Sequence, residues 1–123
     1  MHTGLWAVCS LENRLRQSGF VAKRVEEDPP SRAGFNVKPL VYKVGSSRLE
    51  VFLYPDEASL ARDLAGIDSA SAAPARTVGS WETPPLLIHS GNLAAVLLSQ
   101  NPRQAERLSL ALTAGAPQPG SPR

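Results

Sequence analysis

Leu5, Val8, Leu11 and Leu15 recur at helical spacing near the start of the chain, while Glu12, Asn13 and Arg16 fall outside that stripe. The pattern predicts a first helix with Thr3 as N-cap and Gly19 as the left-handed residue that ends it. Phe20 then follows the stop, placed to pack on Leu15. Beyond Gly19 the period changes. Residues 21 to 27, VAKRVEE, put Val21 and Val25 on one side of an extended chain and run into the breaker DPPSRAG, which reads as a short strand and a loop.

The stretch LVYKVGSSRLEVFLY holds two β-rich runs around Gly45, Ser46 and Ser47, the signature of a hairpin. On its second run Leu49, Val51 and Leu53 share a face, with Arg48, Glu50 and Phe52 on the other, so one face is expected to meet the core. Pro55 and Asp56 open a second helix over residues 56 to 66, with Leu60, Ala61, Leu64 and Ile67 at helical spacing and a stop near Gly66. Residues 68 to 80 are small and polar without an apolar period, and they read as a long surface loop. Trp81 reopens ordered structure.

Residues 84 to 99, PPLLIHSGNLAAVLLS, then read as a hairpin about Gly91 and Asn92. Glycine in the first turn position suits type II′, which pairs Ser90 with Leu93, His89 with Ala94, Ile88 with Ala95 and Leu87 with Val96. Asn101, Pro102 and Gln104 start a last helix whose apolar face is Ala105, Leu108, Ala111 and Leu112. The tail GAPQPGSPR is rich in proline and glycine, so residues 115–123 are expected to be disordered. The predicted fold is one α+β domain over residues 1–114, in the order α-β-β-β-α-β-β-α. Short hairpins make its sheet mainly antiparallel, with the helices packed largely on one face.

Composition changes this picture little. The chain has 123 residues, 42% hydrophobic and 20% charged, as ordinary single-domain proteins do. A net charge of +2 and an aromatic content of 6% offer neither a concentrated basic face nor a stacking platform, which argues against a nucleic-acid partner. No apolar run approaches the roughly 20 residues of a membrane span. The start of the chain lacks the basic and apolar regions of a secretory signal. The expected location is cytoplasmic as written, or exported if a leader has been cut away upstream of Met1.

The single cysteine, Cys9, excludes an internal disulfide. Val8 directly before it is not the small residue that lipoprotein processing favours. Beside the Leu5–Val8–Leu11 stripe, Cys9 reads as a small core or boundary residue rather than a nucleophile.

Candidate chemistry is sparse. His89 and Ser90 are adjacent, but neighbouring strand residues point to opposite faces and seldom meet as base and nucleophile. Ser90 also lacks the Gly-x-Ser-x-Gly setting of a nucleophile elbow. One cysteine and two distant histidines make a poor metal set, and Glu26, Glu27 and Asp28 read as a solvated acidic loop. No phosphate-cradling Gly-x-x-x-x-Gly-Lys loop occurs. Arg14, Arg16, Lys23 and Arg24 form a local basic patch in sequence, with Glu12 one helical turn before Arg16 and able to offset it in part. Trp6 and Trp81 read as core or boundary residues.

The Leu-x-x-x-Gly-Phe feature, the VFLYPDEASLARDL strand-to-helix junction and Trp81 before PPLLIHSGNLAAVLL together resemble small bacterial α+β proteins of no assigned role. Many of those are exported or lipid-anchored. The resemblance spans most of residues 10 to 113 and implies a bacterial domain, without implying catalytic residues.

No catalytic, cofactor-binding or metal-binding residue is therefore assigned, and no cofactor is expected. The leading expectation is a non-enzymatic interaction or small-ligand-binding module, with an unidentified protein or small molecule as partner and a homodimer among its allowed states. The alternatives are a small hydrolase or isomerase using His89 with Asp56 or Asp63 brought near by folding, and an accessory subunit pairing through an exposed sheet face.

Overall fold

Two hairpins build the sheet. The computed structural model describes residues 5–25, 31–74, 81 and 85–115. In the first hairpin, β2 (Leu40–Val44) turns at Gly45 and Ser46 into β3 (Ser47–Leu53), with Val44 paired to Ser47. In the second, β6 (Pro85–Ser90) turns at Gly91 and Asn92 into β7 (Leu93–Leu98), and Ser90–Leu93, His89–Ala94, Ile88–Ala95 and Leu87–Val96 pair as the turn chemistry predicts. Gly91 has φ +56°, whereas Asn92 stays out of the left-handed region, the sign pattern of a type II′ turn. A Cβ added at Gly91 would also lie 3.7 Å from the Trp6 ring.

β3 and β7 pair side by side along Arg48–Leu98 to Leu53–Leu93, and β1 (Ala22–Arg24) adds to β2. The result is an antiparallel five-stranded sheet in the order β1-β2-β3-β7-β6. With helices α1 (Val8–Gln17), α2 (Glu57–Leu64) and α3 (Pro102–Thr113), the chain is an α+β domain. No helix among the described residues is long and apolar enough to cross a membrane.

α1 starts later than its apolar spacing suggests. Ala7 is its N-cap, and Ser10 Oγ accepts the Ala7 N–H at 2.9 Å while donating to the Ala7 carbonyl at 3.0 Å. Thr3 lies outside the described residues. Leu5 is exposed and Val8 only half-buried, so the buried stripe is Leu11 and Leu15, joined by Trp6 ahead of the helix. The far end matches its signals. Gly19 has φ +88°, its N–H donates to the Arg16 carbonyl, and the Phe20 N–H donates to the Leu15 carbonyl, which together make a Schellman motif.

α2 is also shorter than its pattern. Asp56 caps it by accepting the Ser59 N–H at 2.7 Å, Leu60 is its buried residue, and Ala61 is exposed. Ile67 belongs not to the helix but to β4 (Ile67–Asp68), which pairs with β5 (Ala73–Pro74). The first part of the expected long loop is therefore a small hairpin, held down by the burial of Ala72 and Ala73. Its remainder, residues 75–80, lies outside the described residues, as do residues 116–123 of the expected tail.

α3 begins as predicted. Asn101 caps the Arg103 and Gln104 N–H groups, and Leu108, Ala111 and Leu112 are buried. The Gln104 side chain does not return to the cap, however. Ser99 Oγ accepts the Asn101 N–H instead, and Gln104 ties the β2–β3 turn to the helix by donating to the Val44 carbonyl and accepting from Ser47 Oγ.

The sheet is covered on both faces. Leu49, Val51, Ala95, Leu97 and Ile88 meet Leu11 and Leu15 of α1 and Leu108 and Leu112 of α3. On the opposite face Phe52, Ala94 and Val96 meet Leu60 of α2, Phe35 and Ala72. The expectation that only one face of β3 is core is thus corrected: Glu50 and Phe52 are as fully buried as Leu49 and Val51. β7 explains why. Leu93, Ala94, Ala95, Val96 and Leu97 form an unbroken apolar run, which a strand carries when both its faces are covered.

Candidate functional site

His89 and Ser90 part company as alternation requires. Ser90 Oγ accepts the Trp6 indole N–H at 3.5 Å, while His89 is exposed on the edge strand β6. Neither proposed carboxylate reaches His89. Asp56 is occupied as the cap of α2. Asp63 accepts the Tyr54 hydroxyl at 2.5 Å and two hydrogen bonds from Asn36, through its backbone N–H at 2.8 Å and its side chain at 2.6 Å. Burial favours protonation of Asp63, but the bonds from Tyr54 and Asn36 outweigh it and hold the carboxyl below its ordinary range. These bonds pin the segment after Ser31 to α2, a structural use of the aspartate.

Cys9 is exposed, not a core or boundary residue as its place beside the apolar stripe suggests. Cys9 lies two positions before the buried Leu11, about 200° around the helix, which turns it outward. Among the described residues no three His, Cys, Asp or Glu side chains gather as metal ligands would, and Glu26, Glu27 and Asp28 lie outside those residues. Trp6 is buried, stacked under the Arg14 guanidinium, 4.8 Å from the ring centre. Trp81 is half-buried with Arg32 at 4.4 Å.

The fold splits the basic patch of the sequence, bringing Arg16 and Arg24 to one groove and sending Arg14 and Lys23 elsewhere. Arg14 donates to the Ala111 carbonyl at 2.8 Å and so joins α1 to α3. Arg16 donates to Asn13 Oδ1 at 3.0 Å, while Glu12 accepts the Tyr42 hydroxyl at 2.8 Å, so the expected offset of Arg16 by Glu12 is replaced by two separate bonds. Burial above all, and the Glu12 carboxylate at its hydroxyl, push the Tyr42 phenol far above its ordinary value and keep it a neutral donor. Lys23 and Arg24 are neighbours on β1 and therefore face opposite sides of the sheet.

Part of the patch borders a concavity. Between α1 and β1 lies an open groove of about 340 Å³, lined by Leu15, Phe20, Val21 and Ala22, with Glu12, Arg16 and Arg24 at its polar margin. Val21 is 74% exposed, although it follows the buried Phe20 directly. The strand reading put Val21 and Val25 on one side of an extended chain. β1 is only three residues long and starts after Val21, so the valine stands in the open. An apolar floor with two guanidinium groups at its rim can hold a small molecule that pairs an apolar body with an anionic head.

A second polar cluster lies on the other face. Arg32 grips the fully buried Glu50 through Nε at 2.9 Å and Nη2 at 2.6 Å, and Arg48 donates its own Nε to Glu50 at 2.8 Å. Burial alone would raise the Glu50 carboxyl, but these two guanidinium groups hold it below its ordinary range. Sequence reading missed this cluster because Arg32 stands 18 positions from Glu50 and no local pattern links them. The matching signal was a lone glutamate between apolar neighbours on a strand. No family of proteins, no curated protein and no solved structure matches the chain.

Proposed function

We propose that the chain is a non-enzymatic small-ligand-binding module of bacterial origin, and that the groove between α1 and β1 takes a small amphipathic anion. The observation that carries this is Val21, an apolar residue held open to water beside Leu15, Phe20 and Ala22 and within a rim that includes Arg16 and Arg24. The apolar body would cover that floor, and the guanidinium groups would take the anionic head as charge-assisted hydrogen bonds. The bacterial origin rests on the sequence resemblance alone.

The test is a titration of backbone amide resonances with octanoate, and with octanol as its uncharged counterpart. Octanoate should shift the Leu15, Phe20, Val21 and Ala22 resonances to saturation, octanol should bind more weakly, and Arg24→Ala should weaken octanoate severalfold. A response that never saturates, or one indifferent to Arg24→Ala, overturns the proposal.

A second reading, pairing with another subunit through a sheet edge instead of the exposed sheet face expected from the sequence, is favoured by β6. This edge strand carries no Lys, Arg, Asp or Glu and leaves Leu86 exposed, whereas the opposite edge strand β1 is short and carries Lys23 and Arg24. Charge on an edge strand blocks strand addition, and beyond Pro85 at its start β6 lacks such protection. Light scattering over a range of concentrations decides it: self-association lost in Leu86→Lys supports this reading, and a monomer at every concentration removes the homodimer.

A further inference from the structure

The register of the sheet does something the sequence conceals. Lys23 of β1 lies directly across from Lys43 of β2, and Lys43 lies directly across from Arg48 of β3. Directly opposed residues share a face, so three cations stand in one row across three strands. Neighbouring strands are about 4.8 Å apart, which makes the row about 10 Å long. Like charges placed directly opposite each other oppose strand pairing, and the sheet carries this juxtaposition twice in succession.

Both lysines are exposed, and the Arg48 side chain is 43% exposed. Among the described residues the carboxylate that contacts the row is Glu50, and it is shared between Arg48 and Arg32. Glu50 also fixes the arginine. It takes the Arg48 Nε and is itself gripped by two nitrogens of Arg32, so one side of the Arg48 guanidinium is anchored and its terminal amino groups remain for another acceptor. An arginine held this way meets a tetrahedral oxyanion at lower conformational cost than a mobile one, and the two lysines supply flexible point charges beside it.

We propose that Lys23, Lys43 and Arg48 form an anion site for a soluble small molecule bearing two linked phosphates. The site lies on the face of β1 opposite the groove and is independent of it. The length of the row favours a diphosphate over a single phosphate, because three charges spread over about 10 Å can engage both phosphoryl groups at once. Among the described residues no exposed aromatic side chain adjoins the row to stack a base; Trp81 is taken up by Arg32 and the Ala72 carbonyl.

The probe is inorganic pyrophosphate, followed through backbone amide shifts at constant ionic strength, with inorganic phosphate and a thymidine oligonucleotide as competing probes. Pyrophosphate should give saturable shifts at Lys23, Lys43 and Arg48 and bind at least tenfold more tightly than phosphate. Lys43→Glu should weaken it at least tenfold. Lys23→Glu, at an exposed edge position that leaves the core untouched, should weaken it severalfold. Arg103→Glu makes the same charge change on α3, across the sheet, and should leave it unchanged. Equal loss in Arg103→Glu means that net charge alone acts, and overturns the site. A lack of saturable binding also overturns it, including the case in which Glu26, Glu27 and Asp28, which follow β1 in sequence, already neutralise the row. Tighter binding of the oligonucleotide than of pyrophosphate replaces the diphosphate with a nucleic-acid backbone and overturns the proposal as stated.

Discussion

The two faces of the sheet are held by different physics. On the face under α1 and α3, the strands present Leu49, Val51, Ala95 and Leu97, and the helices answer with Leu11, Leu15, Leu108 and Leu112. On the face under α2, Phe35 stacks on Phe52 with ring centres 4.0 Å apart, but beside that stack lie the Arg32–Glu50–Arg48 cluster and the Tyr54–Asp63–Asn36 bonds. The first face is stabilised by area removed from water and depends little on solution conditions. The second gains part of its order from charges that must stay ionised. Both proposed anion sites follow from this difference. The groove opens where the apolar face ends at β1, and the cationic row lies where the polar cluster reaches the surface.

The largest expected effect breaks the apolar face. Leu97→Ala removes a buried side chain among Leu and Val neighbours and should cost about 2–5 kcal/mol, with the same cost at pH 4 and pH 7. Chemical denaturation at the two pH values measures this, and a strongly pH-dependent cost would show that the two faces are not separable.

Glu50→Gln should cost less, about 1–3 kcal/mol at pH 7, because Arg48 is partly exposed and can turn to water when its partner loses charge. Its signature is the pH dependence. The folded Glu50 carboxyl is held below its ordinary value, so the stability it contributes is present above about 4.3, the usual glutamate value in an unfolded chain, and is lost as pH falls further toward its folded value. Denaturation curves of Glu50→Gln should therefore decline less steeply below that pH than those of the parent. Some decline remains, because Asp56 and Asp63 are also held low and release stability in the same direction. Identical acid profiles would show that Glu50 contributes no ionic stabilisation.

The smallest effect marks the outer limit of the apolar face. Cys9 is exposed on α1, so a thiol reagent should label it in the native protein at a rate within a fewfold of the unfolded control. Strong protection would mean that the apolar face extends past Leu11 and Leu15 and that the helix is rotated from the arrangement described.

What the sequence determined by itself is local. Gly19 before Phe20, Gly91 before Asn92, Asp56 before α2 and Asn101 with Pro102 before α3 each set a stop, a turn or a cap through interactions within a few residues, and each is found in place. The register of the second hairpin followed from its two-residue turn, because a fixed turn leaves only one pairing.

What only the tertiary structure decided concerns groups far apart in the chain. Asn92 looks like a turn residue. It is buried, and its side chain accepts the Trp6 N–H and donates to the Trp6 and Tyr54 carbonyls, which stitches the chain ahead of α1 to the end of β3. Glu50 reads as a solvent-facing partner of Leu49 and Val51 until Arg32 arrives. The basic residues show the same rule most plainly. Arg14, Arg16, Lys23 and Arg24 cluster in sequence and are split, Arg16 and Arg24 meeting at the groove while strand alternation sends Lys23 to the opposite face. Lys23, Lys43 and Arg48 are scattered in sequence and are aligned by strand register. Caps and turns are chosen by neighbours along the chain, whereas a buried carboxylate or a row of charges depends on which strands meet.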